Sequence, residues 1–372
     1  MPGVTGHAFL RHDPDTIFEL TPETFTFLEG FATPRAVASI EEGTRAFVEQ
    51  LVELGILIPD DAQVPAAVWE APLHPLFRVP VHPIEMPGAG HPVTVLGAAW
   101  DGSTLPRYPR GTAGGPASIR ASALELPLRR STHEGASGFF DVERRRRVLE
   151  GIRLTDGGNL IGVPGCDTDA YREALTARIV GLAEARHVLL LGGDHSVSLA
   201  GVRGALRAHG PVGILHFDAH TDRGPCVAGQ PIHHANVMSA LLEDADVQRL
   251  VQVGLRGFQS VPEQDGRYRV VPACEASVEA VQAATEGLER WYISVDIDVL
   301  DPAVAPHTPV PEPDGLDLRT LRRMIQSTVD TRHVVGADLV EVRGGHDEAA
   351  GRTARVAALL CADLVETLGS VA

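Results

Sequence analysis

Six stretches of this 372-residue chain carry apolar residues at successive positions rather than at alternating ones. They are VTVLGAAW (93–100), HVLLLGG (187–193), VGILHF (212–217), LVQVGLRG (250–257), WYISVDI (291–297) and VVGADLVEV (334–342). A strand of that kind must bury both of its faces, which is the pattern of a parallel sheet covered on each side. Helical stretches such as DTDAYREALTARIVGLAEA (167–185) lie between several of them. The expected fold is therefore α/β, a three-layer αβα arrangement around a mainly parallel sheet. In such sheets ligands gather at the carboxyl ends of the strands. The charged residues of this chain fall at those ends.

The chain ahead of residue 93 reads differently. Thr21 can cap a short helix carrying Phe25 and Leu28. A second helix follows Pro34 with Val37 and Ile40, and a third presents Phe47, Leu51, Val52 and Leu54 at helical spacing. Gly55 ends it, and Ile56–Ile58 reads as a strand. Residues 1–64 are thus expected to form a small winged-helix-like domain. Residues 65–92 are expected to be a Pro-rich linker, because proline at that density favours extended chain. Residues 93–372 form the main domain.

A formal net charge of −17 argues against a nucleic-acid partner. The four cysteines, Cys166, Cys226, Cys274 and Cys361, include no CxxC pair and suggest free thiols in a reducing cytoplasm. No signal-peptide pattern and no membrane-length apolar run occur. The RRRR run at 144–147 reads as a solvated helix face or a subunit contact, and a homo-oligomer is expected.

Three strand ends carry chemistry. HVLLLGGDHS ends in Asp194 and His195, ILHFDAHTD in Asp218, His220 and Asp222, and WYISVDIDVLDP in Asp296 and Asp298. In an extended segment residues i, i+2 and i+4 share a face, so each set should converge, with His195 joining from a neighbouring strand. His216 shares the alternation but sits deeper, as a hydrogen-bonded core histidine. Four buried carboxylates repel one another, and no lysine lies in the three segments; they must protonate or bind cations. Two divalent ions would match four aspartates. Oxygen-rich ligands with two imidazoles suit Mn²⁺, with Zn²⁺, Fe²⁺ or Ni²⁺ as alternatives. A metal pair that activates water implies hydrolysis.

GGDHS, DAHTD and SVDIDVLDP, in that order, resemble the ureohydrolases: arginase, agmatinase and their guanidino-hydrolysing relatives. YPRGTAGGPASIRASA (108–123) resembles the Gly-Pro-x-x-Ile-Arg segment of that family. The resemblance implies two Mn²⁺ per chain, one held by His195, Asp218, Asp222 and Asp296, the other by Asp218, His220, Asp296 and Asp298, with Asp218 and Asp296 bridging. It implies that Glu341, in ADLVEV, pairs with the guanidinium, a geometry suited to a planar cation. It also implies that His234, in PIHHANVM, shuttles a proton to the leaving amine.

The chain departs from the family at PHTPVPEPDG (306–315), where His307, Pro309 and Asp314 replace glycines. That loop should follow a different path at the mouth of the site, which makes His307 a substrate-binding candidate. The expected reaction splits a guanidino compound into urea and a primary amine. The substrate is arginine within a peptide, giving ornithine, or a small molecule: arginine, agmatine, or a guanidino acid whose carboxylate Arg223 would meet. In the peptide reading, residues 1–64 recruit the substrate as a strand-adding dock. Two rivals are a DNA-binding regulator, opposed by the acidic TRAFVEQLVELG helix, and a mononuclear zinc amide hydrolase, which would not require six ligands.

Overall fold

The computed structural model describes residues 8–11, 17–20, 46, 48, 66–79, 81, 93–102, 108–126, 138–163, 167–183, 186–328 and 333–369. The chain divides into residues 1–65 and 66–372. In the first unit β1 (Ala8–Arg11) pairs antiparallel with β2 (Ile17–Leu20), a hairpin that the sequence reading did not foresee. Ala46 and Val48 are helical, within the third expected helix. The rest of the winged-helix expectation lies outside the described residues.

The second unit runs β3 (Ala67–Glu70), β4 (Val93–Ala99), α1 (Gly115–Ala123), β5 (Phe139–Asp141), β6 (Arg146–Val148), β7 (Leu154–Gly162), α2 (Thr168–Ala183) and β8 (His187–Leu191). It continues through α3 (Ser198–His209), β9 (Val212–Phe217), α4 (Val237–Leu242), β10 (Val247–Leu255), β11 (Tyr268–Pro272), α5 (Val278–Thr285), β12 (Arg290–Asp296), α6 (Leu318–Ser327), β13 (His333–Val340) and α7 (Glu348–Gly369). Nine strands make one sheet in the order β11-β10-β9-β12-β13-β8-β4-β7-β3. Every pairing in it is parallel except β3 with β7.

Successive apolar residues divide between the two faces, as a doubly covered sheet requires. Leu189, Leu191, Leu215, Phe217, Ile293 and Val295 join a core with Ile119 of α1, Val281 of α5, Leu321 of α6 and Leu360 of α7. Val188 and Leu190 pack with Leu175 of α2, while Ile214 and Tyr292 pack with Val202 of α3 and Met238 of α4. No helix among the described residues is long and apolar enough to cross a membrane. Cys226, Cys274 and Cys361 are free thiols.

Two expectations change here. The stretch 65–92 was expected to be a linker, but residues 67–70 form the antiparallel edge strand β3, and Leu76 and Phe77 are buried in the core. Leu76 donates its amide to Asp156 Oδ2 at 2.8 Å, which anchors the stretch. Proline excludes helix, but an edge strand needs only half of its backbone bonds. The arginine run is not a helix face. Arg144 and Arg145 lie in the turn of the β5–β6 hairpin, Arg146 and Arg147 begin β6, and Arg144 pairs with Asp363 and Glu366 of α7. Arg146 adds a 2.6 Å bond to Glu366.

The Gly-Pro-x-x-Ile-Arg segment is structural. Gly115 opens α1 where a Cβ would collide with the Val342 carbonyl. Arg120, 1 % exposed, binds Asp156 through Nε at 2.8 Å and Nη2 at 2.9 Å, and Asn159 Oδ1 at 2.6 Å. This segment locks α1 to β7.

Candidate metal centre and pocket

The candidate residues lie at the carboxyl ends of β8, β9, β12 and β13. β9 and β12 are adjacent, but β8 is separated from β12 by β13, so His195 does not come from a directly neighbouring strand. It reaches the cluster from the short turn of helix that follows β8. Asp194 caps that turn, accepting from the Ser196 amide at 3.0 Å, and takes no part in the cluster. Gly193 lies where a Cβ would strike the Trp100 main chain, which accounts for the second glycine of GGDHS.

Convergence does not arise from extended alternation. β9 ends at Phe217, and Asp218 Oδ1 accepts from the His220 amide at 2.5 Å, which folds the segment into a turn. Asp222 takes a left-handed φ of 47°. Asp296 closes β12, and its Oδ1 accepts from the Asp298 amide at 2.9 Å as a one-turn helix begins.

Three ligand-like groups result among the described residues: a first of His195, Asp218, Asp222 and Asp296, a second of Asp218, His220 and Asp298, and a third, deeper one of His195, His216 and Asp218. His195 Nδ1 lies 3.3 Å from Asp218 Oδ2, 3.0 Å from Asp222 Oδ2 and 3.2 Å from Asp296 Oδ2. His220 Nδ1 lies 3.0 Å from Asp298 Oδ2 and 3.5 Å from Asp218 Oδ1. Asp218 thus offers one oxygen to each of the first two groups. Asp296 groups with the first alone, although the family resemblance implied a bridge.

The hydrogen bonds show what the cluster fits. His195 Nδ1 and Asp218 Oδ2 are buried and make no well-aligned hydrogen bond, despite their closeness. These atoms aim at a common centre rather than at each other. Ser294 Oγ donates to Asp338 Oδ1 at 2.7 Å, so at 3.0 Å it accepts from His195 Nε2–H. That leaves Nδ1 facing three carboxylates; without a metal, and against the opposing effect of burial, they hold a proton on it and raise the imidazole well above its usual range, and a cation would take that proton's place.

The electrostatics agree. Burial works against a charge on His220, but the hydrogen bonds it donates to Asp218 and Asp298 carry its pKa up to about 12. Burial, then the charge of Asp218, pushes Asp298 up to about 6. Burial, then Asp298 and Asp218, raises Asp296 well above the usual carboxylate range. Carboxylates this crowded hold protons unless a metal relieves them.

His216, fully buried, accepts from Gln252 Nε2 at 2.8 Å, and Gln252 Oε1 accepts from Tyr268 at 2.8 Å. Its Nε2 lies 2.8 Å from Asp218 Oδ2 and makes no aligned bond, so it stands behind that carboxylate.

A pocket of about 240 Å³ opens over the cluster. His220, Asp222, Asp296, Asp298, Glu341 and His234 line it, together with Tyr108, Gln259, Thr308, Pro309 and Val310. Glu341, 4 % exposed, has a left-handed φ of 62°, and its Oε1 accepts from the His195 amide at 2.7 Å. Left-handed non-glycine residues are rare and gather at functional sites. Burial, then the charge of Asp194, raises the Glu341 carboxyl. Burial lowers His234 to about 4, and its Nδ1 has no hydrogen-bond partner.

Two candidates do not line the pocket. Arg223 stacks on the Tyr268 ring, 4.1 Å from its centroid. His307 is held against the chain after β13: its amide donates to Thr353 Oγ1 at 2.9 Å and its Nε2 lies 3.4 Å from the Gly344 carbonyl. Its successors Thr308, Pro309 and Val310 face the pocket instead. Asp314 keeps a φ of 60°, so the aspartate itself adopts a conformation that glycine favours. The sequence reading missed Tyr108, Gln259 and Thr308. Gln259 accepts from the Thr221 amide and donates to the Ala219 carbonyl, both at 2.8 Å, bracing the DAHTD turn.

Comparison with known proteins agrees with this geometry. The arginase family model matches residues 91–366. The chain is 30 % identical over 290 residues to the proclavaminate amidinohydrolase of Streptomyces clavuligerus, covering 74 % of this chain and 88 % of that one. The solved structure of that enzyme superposes with a TM-score of 0.68 at 28 % identity, over 84 % of this chain and all of that chain. A mitochondrial agmatinase of Gallus gallus is 30 % identical over 78 % of this chain and 84 % of its own length. A guanidinopropionase of Pseudomonas aeruginosa is 32 % identical over 73 % and 85 %. With a His/Asp metal-binding cluster at the strand ends of an arginase-like sheet, this chain belongs to the arginase family and is a ureohydrolase.

Proposed function

We propose that the protein hydrolyses the guanidino group of a small molecule to urea and a primary amine, with two divalent cations at the strand ends. The observation that carries this is the convergence of the His195 lone pair and three carboxylates on one centre, beside a second centre sharing Asp218. His195, Asp218, Asp222 and Asp296 would hold one ion, and Asp218, His220 and Asp298 the other. Two dications offset four aspartates, and the oxygen-rich donor set favours Mn²⁺. When bound, such a pair supplies Lewis acidity and a water that is nucleophilic at neutral pH.

The chain's own groups do the rest. Glu341 accepts two N–H bonds from the guanidinium and orients its carbon over the cluster. His234 is half-buried, with its pKa lowered to about 4 by that burial, and its Nδ1 is free to take a proton and pass it to the departing amine. Thr308, Pro309 and Val310 offer a wall for the rest of the substrate.

The small-molecule reading is favoured over arginine in a peptide. The three relatives named above carry the names of small guanidino compounds or their hydrolysis. The test is urea release by Mn²⁺-loaded protein from agmatine, arginine, 3-guanidinopropionate, 4-guanidinobutyrate and an arginine-containing peptide. Release from a small guanidine is expected, and no urea from any of them would overturn the reading.

A further inference from the structure

Tyr108 stands just ahead of the Gly-Pro-x-x-Ile-Arg segment, with no periodic pattern to mark it. In the structure it touches both groups assigned above to substrate. Its hydroxyl donates to Glu341 Oε2. Its ring stacks on His234, centroids 3.9 Å apart and planes inclined by 23°. It also lines the pocket.

The lone pairs of Glu341 show why this matters. A carboxylate offers about four acceptor positions. The His195 amide takes one on Oε1 and the Tyr108 hydroxyl takes one on Oε2. One position then remains on each oxygen, the number that a planar guanidinium needs for two parallel N–H bonds. Without Tyr108 the carboxylate would be fixed at a single oxygen and free to turn about it. The ring does a second job. His234 Nδ1 has no hydrogen-bond partner, so the imidazole plane is set by what packs against it, and Tyr108 is its stacked neighbour. Burial raises the phenol far above its ordinary range, so it stays a protonated donor.

We propose that Tyr108 is the positioning residue of this site: its hydroxyl presets Glu341 for a guanidinium, and its ring sets the plane of His234. This rests on the guanidino-hydrolase reading and adds to it a residue on a different segment from the metal motifs.

The two roles separate by substitution. Tyr108→Phe keeps the ring and removes the hydroxyl. Its KM for the best guanidine of the panel should rise about 10–100-fold, the worth of one hydrogen bond to a charged group, with kcat changed less than about threefold. Tyr108→Leu removes both functions, and should raise KM and also lower kcat about tenfold or more through His234. Metal content and melting temperature of Tyr108→Phe should match the parent, since the hydroxyl touches no candidate ligand side chain. An unchanged KM in Tyr108→Phe, or a loss explained by lost metal, would overturn the proposal while leaving the functional reading intact. A parent protein that releases no urea from any guanidine would remove that reading, and this proposal with it.

Discussion

The main-chain amide of His195 donates to Glu341 Oε1 at 2.7 Å, and the Glu341 amide in turn donates to the Gly193 carbonyl at 2.9 Å. A candidate metal ligand and the candidate guanidinium carboxylate are thus parts of one hydrogen-bonded unit. Glu341→Gln keeps an acceptor for His195 but loses the charge. It should retain its metals and lose about 10–100-fold in kcat/KM, because a charge-assisted pair becomes a neutral one. Steady-state kinetics together with elemental analysis check this, and normal kcat/KM with intact metal content would remove Glu341 from the site.

Asp218 belongs to all three ligand-like groups, including the two assigned to the ions, and Asp222 to one. Asp218→Asn should therefore weaken retention of both ions, while Asp222→Asn weakens one and leaves partial activity at saturating Mn²⁺. Metal per chain after dialysis, measured on both variants, distinguishes them. Equal losses would contradict the shared role of Asp218.

Metal uptake should release protons. His220 without a metal holds a proton up to about pH 12, and Asp298 up to about pH 6, whereas both must be deprotonated to ligate. The metal-bound state carries fewer protons, so affinity must rise with pH across the neutral range. Titration calorimetry in buffers of different ionisation enthalpy should find net proton release, since His195, His220 and Asp296 are all raised above their usual ranges without a metal. An affinity independent of pH between 6 and 8, or no proton release, would refute the assignment of His220.

The Arg120–Asp156 pair is fully buried and shares its oxygens with the Leu76 and Gly158 amides. Arg120→Met leaves an uncompensated buried carboxylate and should cost about 3–5 kcal/mol. Denaturant unfolding of metal-loaded protein measures it, and a loss below about 1 kcal/mol would show that the site is wetter or more adaptable than its burial implies.

Doubly covered strands were legible because burial on both faces leaves a continuous apolar run, as in HVLLL and VGILHF. The metal residues were legible because four carboxylates without lysines demand a cation. Their mode of convergence was not: the turn at Asp218 and the left-handed Asp222 depend on backbone–side-chain bonds that spacing does not encode. β3 escaped notice because prolines around it mask a short edge strand. Tyr108 escaped because a single aromatic carries no pattern, and His307 misled because a residue at a pocket's mouth can point away from it.

Arg256 fastens two pieces of the site. Its guanidinium donates to the carbonyls of Asp298 at 2.6 Å, Val299 at 3.1 Å and Leu300 at 3.3 Å, and to those of Glu312 at 2.8 Å and Pro313 at 2.9 Å. These acceptors, and the Gly254 carbonyl at 3.2 Å, are all main-chain oxygens, so the clasp is indifferent to which side chains those positions carry. A lineage, or an engineer, can therefore rewrite the residues lining the pocket at 308–310 while the turn beneath them stays pinned to the strand that ends in Asp296. New specificities become reachable by single substitutions, provided that Arg256 itself is left alone.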